Sequence, residues 1–226
     1  MSTPKKRGRV KGRHELKSRD LDLIQFLEQT KLYITTDQAS RLFYWSGNPV
    51  YSLKTAQARM KILSQDLKQI KRFREYNTQS YAYYISSTAP RMHKHRLANT
   101  DFLSYFVLIP GVEVVSITHE WNEIEKDYHL RPDLRVEFYY NDVLWVMIVE
   151  VDVGKAFHND QKYCHLLDDI VRNPRLQELF PRGNTFIVNV CKRPPKASFP
   201  IWWVQPDMTG LSEIEAMLRG ETDVKC

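Results

Sequence analysis

Arg131-Pro132-Asp133, followed by an apolar-rich stretch and then Glu150-Val151-Asp152, is the part of this chain whose residue types and spacing could do chemistry. The stretch between reads LRVEFYY, then Asn141-Asp142, then VLWVMIVE. Residues 143–149 are β-branched, aromatic and continuous, the pattern of a buried strand. Asp133 starts one strand and Glu150 ends the next, so a turn at Asn141-Asp142 brings both acids to one end of a hairpin. Burying a carboxylate costs several kcal/mol unless a cation, a charged partner or hydrogen bonds offset it. Two or three of Asp133, Glu150 and Asp152 could therefore hold Mg²⁺ or Mn²⁺ through hard oxygen ligands, the outline of a metal-dependent nuclease site. The same acids could instead cap strands and pair with Arg131 or Arg135.

The elements that would carry this site emerge from charge and periodicity. Residues 1–100 hold 20 Lys+Arg against 7 Asp+Glu, a net +13, whereas residues 101–226 hold 13 against 20, a net −7. A basic half joined to an acidic half implies a polyanionic partner, most simply DNA phosphates. A divalent cation would let the acidic half approach the same DNA. Residues 1–17 carry seven Lys or Arg with only Val10 and Leu16 as core formers, and read as a disordered basic arm. Such an arm lies along phosphates or simply solubilises.

From Ser18, read as an N-cap, Leu21, Ile24, Phe26 and Leu27 form an apolar stripe. Thr35-Thr36-Asp37 caps a second helix, and after a break at Gly47-Asn48-Pro49, Ser52 opens a third, with Ala56, Met60, Leu63 and Leu67 inward. Its polar side shows Lys54, Gln57, Arg59, Lys61 and Gln65. Alternating strands over 69–75 and 80–85 complete a winged helix-turn-helix over 18–86. Its third helix would lie in the major groove, and Lys71, Arg72 and Arg74 would reach backbone phosphates. Residues 86–90 form a linker. Beyond it the chain reads as a helix over 92–107, strands over 112–118, 134–140 and 143–151, a helix over 156–172, strands over 185–191 and 201–204, and a C-terminal helix over 211–218 within a tail over 206–226.

Other chemistries find less support. Cys164, Cys191 and Cys226 form no CxxC pair and fit a reducing compartment. No apolar stretch approaches the roughly 20 residues of a membrane span, and the basic start lacks a following apolar run, so a cytoplasmic location is expected. No P-loop or Rossmann glycine pattern occurs. His93-x-His95 is the only tight histidine pair, so a two-histidine relaxase site is not expected; Glu120 or Glu123 could add a ligand from the side.

The α-β-β-β-α-β order over 91–205 resembles the core of restriction-endonuclease-like domains, giving an overall α+β chain. In that fold the pattern is Pro-Asp, a spacer, then Asp/Glu-x-Lys, the lysine orienting the attacking water. Here Pro132-Asp133 and Glu150 stand in place, but Asp152 occupies the lysine position. The site is then inactive, or the lysine comes from the next helix as Lys155 or Lys162, of which Lys162 is preferred. Lys155, Asn159 and Lys162 read as one helix face, opposite Tyr163, Leu166, Leu167 and Ile170.

Taken in order, the helical start, His95-Arg-Leu97 with Asp101, Trp121-Asn-Glu123, the RPD strand and Glu-Val-Asp-x-Gly resemble the replication-relaxation family of mobile-element proteins, over residues 18–191. Within it, the Asp…Glu-x-Asp…Lys arrangement is similar to the C class of plasmid mobilisation relaxases. That resemblance implies nicking of DNA at an origin of transfer, with a conjugative coupling protein and other relaxosome proteins as partners. Asp133, Glu150 and Asp152 would sit on Mg²⁺ or Mn²⁺ with Lys162 as the catalytic lysine, although Asp152 is one methylene shorter than the Glu expected there. A non-catalytic DNA-binding accessory or regulator with a degenerate nuclease fold is the alternative.

Overall fold

The computed structural model describes residues 15–74, 79–86, 94–152, 157–181 and 183–221. Most of the basic arm, most of the linker, His93 and Lys155 lie outside the described residues. The described chain is a mixed α+β structure with eight α-helices and two sheets.

The first half holds α1 (Ser18–Thr30), β1 (Ile34–Thr35), α2 (Thr36–Leu42) and α3 (Pro49–Lys61), the last running on into a π-helical turn (Ile62–Asp66). Strands β2 (Lys71–Phe73) and β3 (Ala82–Tyr84) then join β1 in an antiparallel sheet of order β1-β3-β2. The caps differ from expectation in two of three helices. Lys17, rather than Ser18, precedes α1, because the Asp20 carboxylate turns back to accept its N–H at 2.8 Å. Asn48 caps α3, its Oδ1 accepting from Tyr51 N at 3.0 Å with Pro49 in the first turn, so the expected break is itself the helix start and Ser52 is buried inside it. Thr35 caps α2 as expected, exchanging hydrogen bonds with Gln38. The stripe of α1 is Leu23, Phe26 and Leu27, with Leu21 on the solvent side.

The second half runs α4 (Lys94–Phe106), β4 (Val112–His119), α5 (Glu125–Tyr128), β5 (Leu134–Tyr140), β6 (Val143–Asp152), α6 (Asp160–Ile170), α7 (Pro174–Leu179), β7 (Thr185–Cys191), β8 (Trp202–Val204) and α8 (Leu211–Leu218). The five strands lie in the order β4-β5-β6-β7-β8, antiparallel up to β6 and parallel thereafter. Asn141 and Asp142 both take positive φ (50° and 63°), as a two-residue hairpin requires if its twist is to match its strands. Parallel pairing of β6 with β7 needs a crossover, which α6 and α7 supply. Short α5 and α7, like two-residue β1, fall below the length at which periodicity is readable.

Alternation along β6 divides the core. Met147, Val149 and Val151 belong to a cluster with Phe102, Phe106, Val188 and Ile214, whereas Val146 and Ile148 face Trp121, Tyr163, Leu166 and Phe180. The first cluster continues without interruption to Leu23, Met60 and Leu63 of the first half, with α4 between. The two halves expected as separate domains thus share one core.

Gly210, before α8, has φ 98°, and a Cβ there would stand 2.4 Å from the Trp203 carbonyl oxygen. Gly210→Ala is expected to cost about 1–3 kcal/mol, read as a lower urea midpoint with unchanged slope. An unchanged midpoint would show that the connection from β8 to α8 yields freely.

Candidate functional site

The register Leu134↔Val149 sets Asp133, just before β5, beside Glu150 of β6. Because β5 begins at Leu134, the next free amide of β6 turns to a side chain: Val151 N donates to Asp133 Oδ2 at 2.7 Å. The same oxygen lies 3.0 Å from His95 Nε2, in the first turn of α4. Glu150 is only 7% exposed, and its Oε1 accepts from Tyr163 Oη at 2.8 Å and Asn159 Nδ2 at 3.2 Å. Asp152 accepts from Asn189 Nδ2 at 2.8 Å, and that amide also reaches the Glu150 carbonyl at 3.4 Å.

The electrostatics follow from burial and crowding. Burial first, and the Asp133 charge second, push the Glu150 carboxyl up to about 8; the Tyr163 and Asn159 hydrogen bonds offset only part of this. Burial likewise raises Asp152, against the pull of Asn189. The hydrogen bond to Asp133 raises His95 despite partial burial. Burial and the Glu150 charge hold the Tyr163 phenol protonated far above its ordinary range.

Each acid spends one oxygen on the protein. Asp133 Oδ1, Glu150 Oε2 and Asp152 Oδ1 accept no hydrogen bond among the described residues, and Asn189 Oδ1 is buried without a hydrogen-bond partner. Hard oxygens that repel one another and lack donors suit a hard divalent cation. Among the described residues no group of three or more His, Cys, Asp or Glu gathers closely enough to hold an ion unaided. A hard cation such as Mg²⁺ or Mn²⁺ would have to rest here on one or two carboxylates, with water or substrate oxygens completing its shell.

The other expected residues are distributed as follows. Arg131 pairs with Glu120 at 3.0 Å, and Arg135 with Glu137 at 2.8 Å and the Leu179 carbonyl, so neither arginine neutralises Asp133 or Glu150. Glu120 is engaged by Arg131 and Arg96, and Glu123 lines a small pocket with Asp127 and Arg175. Lys162 Nζ donates to the His129 carbonyl at 2.8 Å. Asn159 was expected opposite Tyr163; four residues apart on one helical side, both instead reach the same Glu150 oxygen.

On α3, Lys54, Gln57 and Lys61 are exposed. Arg59 is not on that face: it is 6% exposed and paired with the fully buried Asp20. Lys71, Arg72 and Arg74 are exposed on and after β2, with the Arg72 and Arg74 guanidinium groups 4.4 and 4.9 Å from the Tyr81 ring centre.

Sequence reading missed His95, Asn159, Tyr163 and Asn189 as partners of the acids. Tyr163 carried a physical signal, since a phenol in a core stripe must find a hydrogen-bond partner, whereas His95 was marked only by its place in the His95-Arg-Leu97 segment.

No family model, curated protein or solved structure matches this chain. What the structure defines is the class: an α+β protein with a basic helical first half and a carboxylate cluster at one end of its larger sheet. Among the described residues no helix is long and apolar enough to cross a membrane.

Proposed function

We propose that this chain is a metal-dependent DNA nickase acting as a plasmid mobilisation relaxase, with a winged helix-turn-helix that selects the origin of transfer and a restriction-endonuclease-like domain that cuts one strand. The observation that carries the reading is the pairing of Asp133 and Glu150 at the end of the β5–β6 hairpin, each with one oxygen left without a donor. The arrangement of α4, β4, β5, β6, α6 and β7 supports the domain assignment, and β1, β2 and β3 with α1, α2 and α3 support the winged helix. The restriction to relaxases rests on the sequence resemblance.

Asp133 and Glu150 would hold Mg²⁺ or Mn²⁺, with Asp152, two residues further along β6 and held by Asn189, as a further carboxylate. Bound there, the ion supplies a more acidic water and stabilises charge on the scissile phosphate. Asn159 and Tyr163 fix the Glu150 carboxylate, and Val151 N fixes that of Asp133. Lys54, Gln57 and Lys61 would meet the duplex, and Lys71, Arg72 and Arg74 its phosphates.

The test is conversion of a supercoiled plasmid carrying a candidate origin to open circles in Mn²⁺. Asp133→Ala should abolish nicking yet bind DNA with the same salt dependence, whereas Lys54→Ala should reduce the salt slope by about 1. Nicking that survives Asp133→Ala overturns the reading. A second reading, an accessory DNA-binding protein with a silent nuclease fold, is favoured by Lys162 bonding to the His129 carbonyl and by Asp152 in the usual lysine position. Specific, salt-sensitive binding without nicking would select it.

A further inference from the structure

Helix α4 belongs to both halves of the molecule. On one side it is clamped by the first half. Gln38 Nε2 donates to the Leu97 carbonyl at 3.1 Å, and Arg41 reaches Ser104 Oγ at 2.9 Å and Asp101 Oδ1 at 3.2 Å. Thr100 Oγ1 donates to the Tyr33 carbonyl at 2.7 Å. On the other side Phe102, Leu103 and Phe106 enter the core that covers the sheet. The helix is therefore fixed in rotation and in height by groups lying outside the acid cluster.

Its first turn presents His95 to that cluster. Asp133 Oδ2 is held by two donors, Val151 N from β6 and His95 Nε2 from α4. A carboxylate held by one donor can swing about that bond, whereas two donors from different elements fix its plane and aim its remaining oxygen. Nothing else among the described residues performs this service for Asp133, since Arg131 and Arg135 are engaged elsewhere.

We infer that His95 is a positioning residue, through which the α2-clamped helix α4 sets the Asp133 carboxylate for a divalent cation; this rests on the metal-centre reading above. The clamp at Asp101 and Ser104 is then part of the same device, although neither residue belongs to the acid cluster.

The experiment titrates the full chain with Mn²⁺ by calorimetry and follows hydrogen exchange of the Val151 amide by NMR. His95→Ala should bind Mn²⁺ about 10–100-fold more weakly. His95→Gln should recover most of that loss, because the glutamine amide can donate to the same oxygen. Asp101→Ala should weaken Mn²⁺ binding about threefold to tenfold from a distance. If Asp101→Ala does not fold, Ser104→Ala, which deletes the acceptor of Arg41 Nε, reads the same coupling. The Val151 amide should exchange faster in His95→Ala and return toward wild type in His95→Gln. Undiminished Mn²⁺ affinity with unchanged Val151 exchange in His95→Ala overturns the inference.

If the wild-type chain binds no Mn²⁺, the metal-centre reading fails by itself. The amide then decides the role of His95. Faster exchange restored by glutamine keeps His95 as the residue that positions Asp133, and unchanged exchange removes it.

Discussion

On the proposed function, Glu150→Gln is expected to reduce Mn²⁺-dependent nicking by at least about 100-fold, and it should make the metal-free chain more stable. Glu150 is buried beside Asp133, and its ordinary value of 4.5 is pushed up to about 8. Below the ordinary value both folded and unfolded chains carry the proton, and the carboxyl costs nothing. Between the two values the folded chain holds a proton that the unfolded chain has released, so stability falls as pH rises, and the loss is complete above the folded value. Glutamine keeps an oxygen for Tyr163 and Asn159 and has no charge to desolvate. In EDTA the variant should match wild type near pH ~4 and exceed it by roughly 1–3 kcal/mol near pH ~8. Thermal unfolding across pH, with and without Mn²⁺, measures both effects, and Mn²⁺ should raise the wild-type midpoint alone. A variant less stable than wild type in EDTA at the upper pH would mean that protein groups already compensate Glu150, leaving no role for a cation.

Asp20→Ala should destabilise the chain by about 3–5 kcal/mol, because it strands the Arg59 guanidinium in the interior. Asp20 is fully buried and Arg59 is 6% exposed. Asp20 accepts from Tyr44 Oη at 2.8 Å, Lys17 N at 2.8 Å and Arg59 Nε at 3.1 Å, while Arg59 Nη2 also pairs with its second oxygen. Burial alone would raise the Asp20 carboxyl, but Arg59, the Lys17 amide and Tyr44 together outweigh it and hold the group below its ordinary 3.8. The stability it contributes is therefore present above that ordinary value and is lost as pH falls through the folded one. Urea unfolding of Asp20→Ala at neutral pH, and of wild type on acidification, checks both. Replacing the pair together, as Asp20→Leu with Arg59→Met, should restore much of the loss, since two apolar groups leave no charge unpaired. If the single variant is as stable as wild type, this pair does not hold α1 against α3.

The hairpin of the candidate site was legible because its information is local. Alternation and β-branching mark β5 and β6, and Asn141-Asp142 is a turn whose geometry those two residues tolerate. Once the turn is placed, Asp133 must meet Glu150. The amphipathic pattern over 211–218 and the Thr35 cap were readable for the same reason. Arg59 was not, because a basic residue three positions from Ala56 is as compatible with a solvated face as with a buried ion pair. The choice depends on Asp20, 39 positions away. The directions of Lys162 and Asn159 were not legible for a similar reason: helix periodicity relates them to one another, but does not say which one faces the sheet. The packing of Tyr163 and Leu166 against β6 settles that, turning Asn159 to Glu150 and Lys162 to the His129 carbonyl.

Sequence by itself determined the charge division, the order of most helices and strands, and the meeting of two acids at one hairpin end, all of which follow from side-chain type at separations of a few residues to a single turn. Only the tertiary structure decided that the two halves share a core, that Asp20 takes Arg59 out of solvent, and that His95, Tyr163 and Asn189 hold the acids. Those contacts join elements distant in the chain, and their energies depend on burial and direction, which the one-dimensional pattern does not carry.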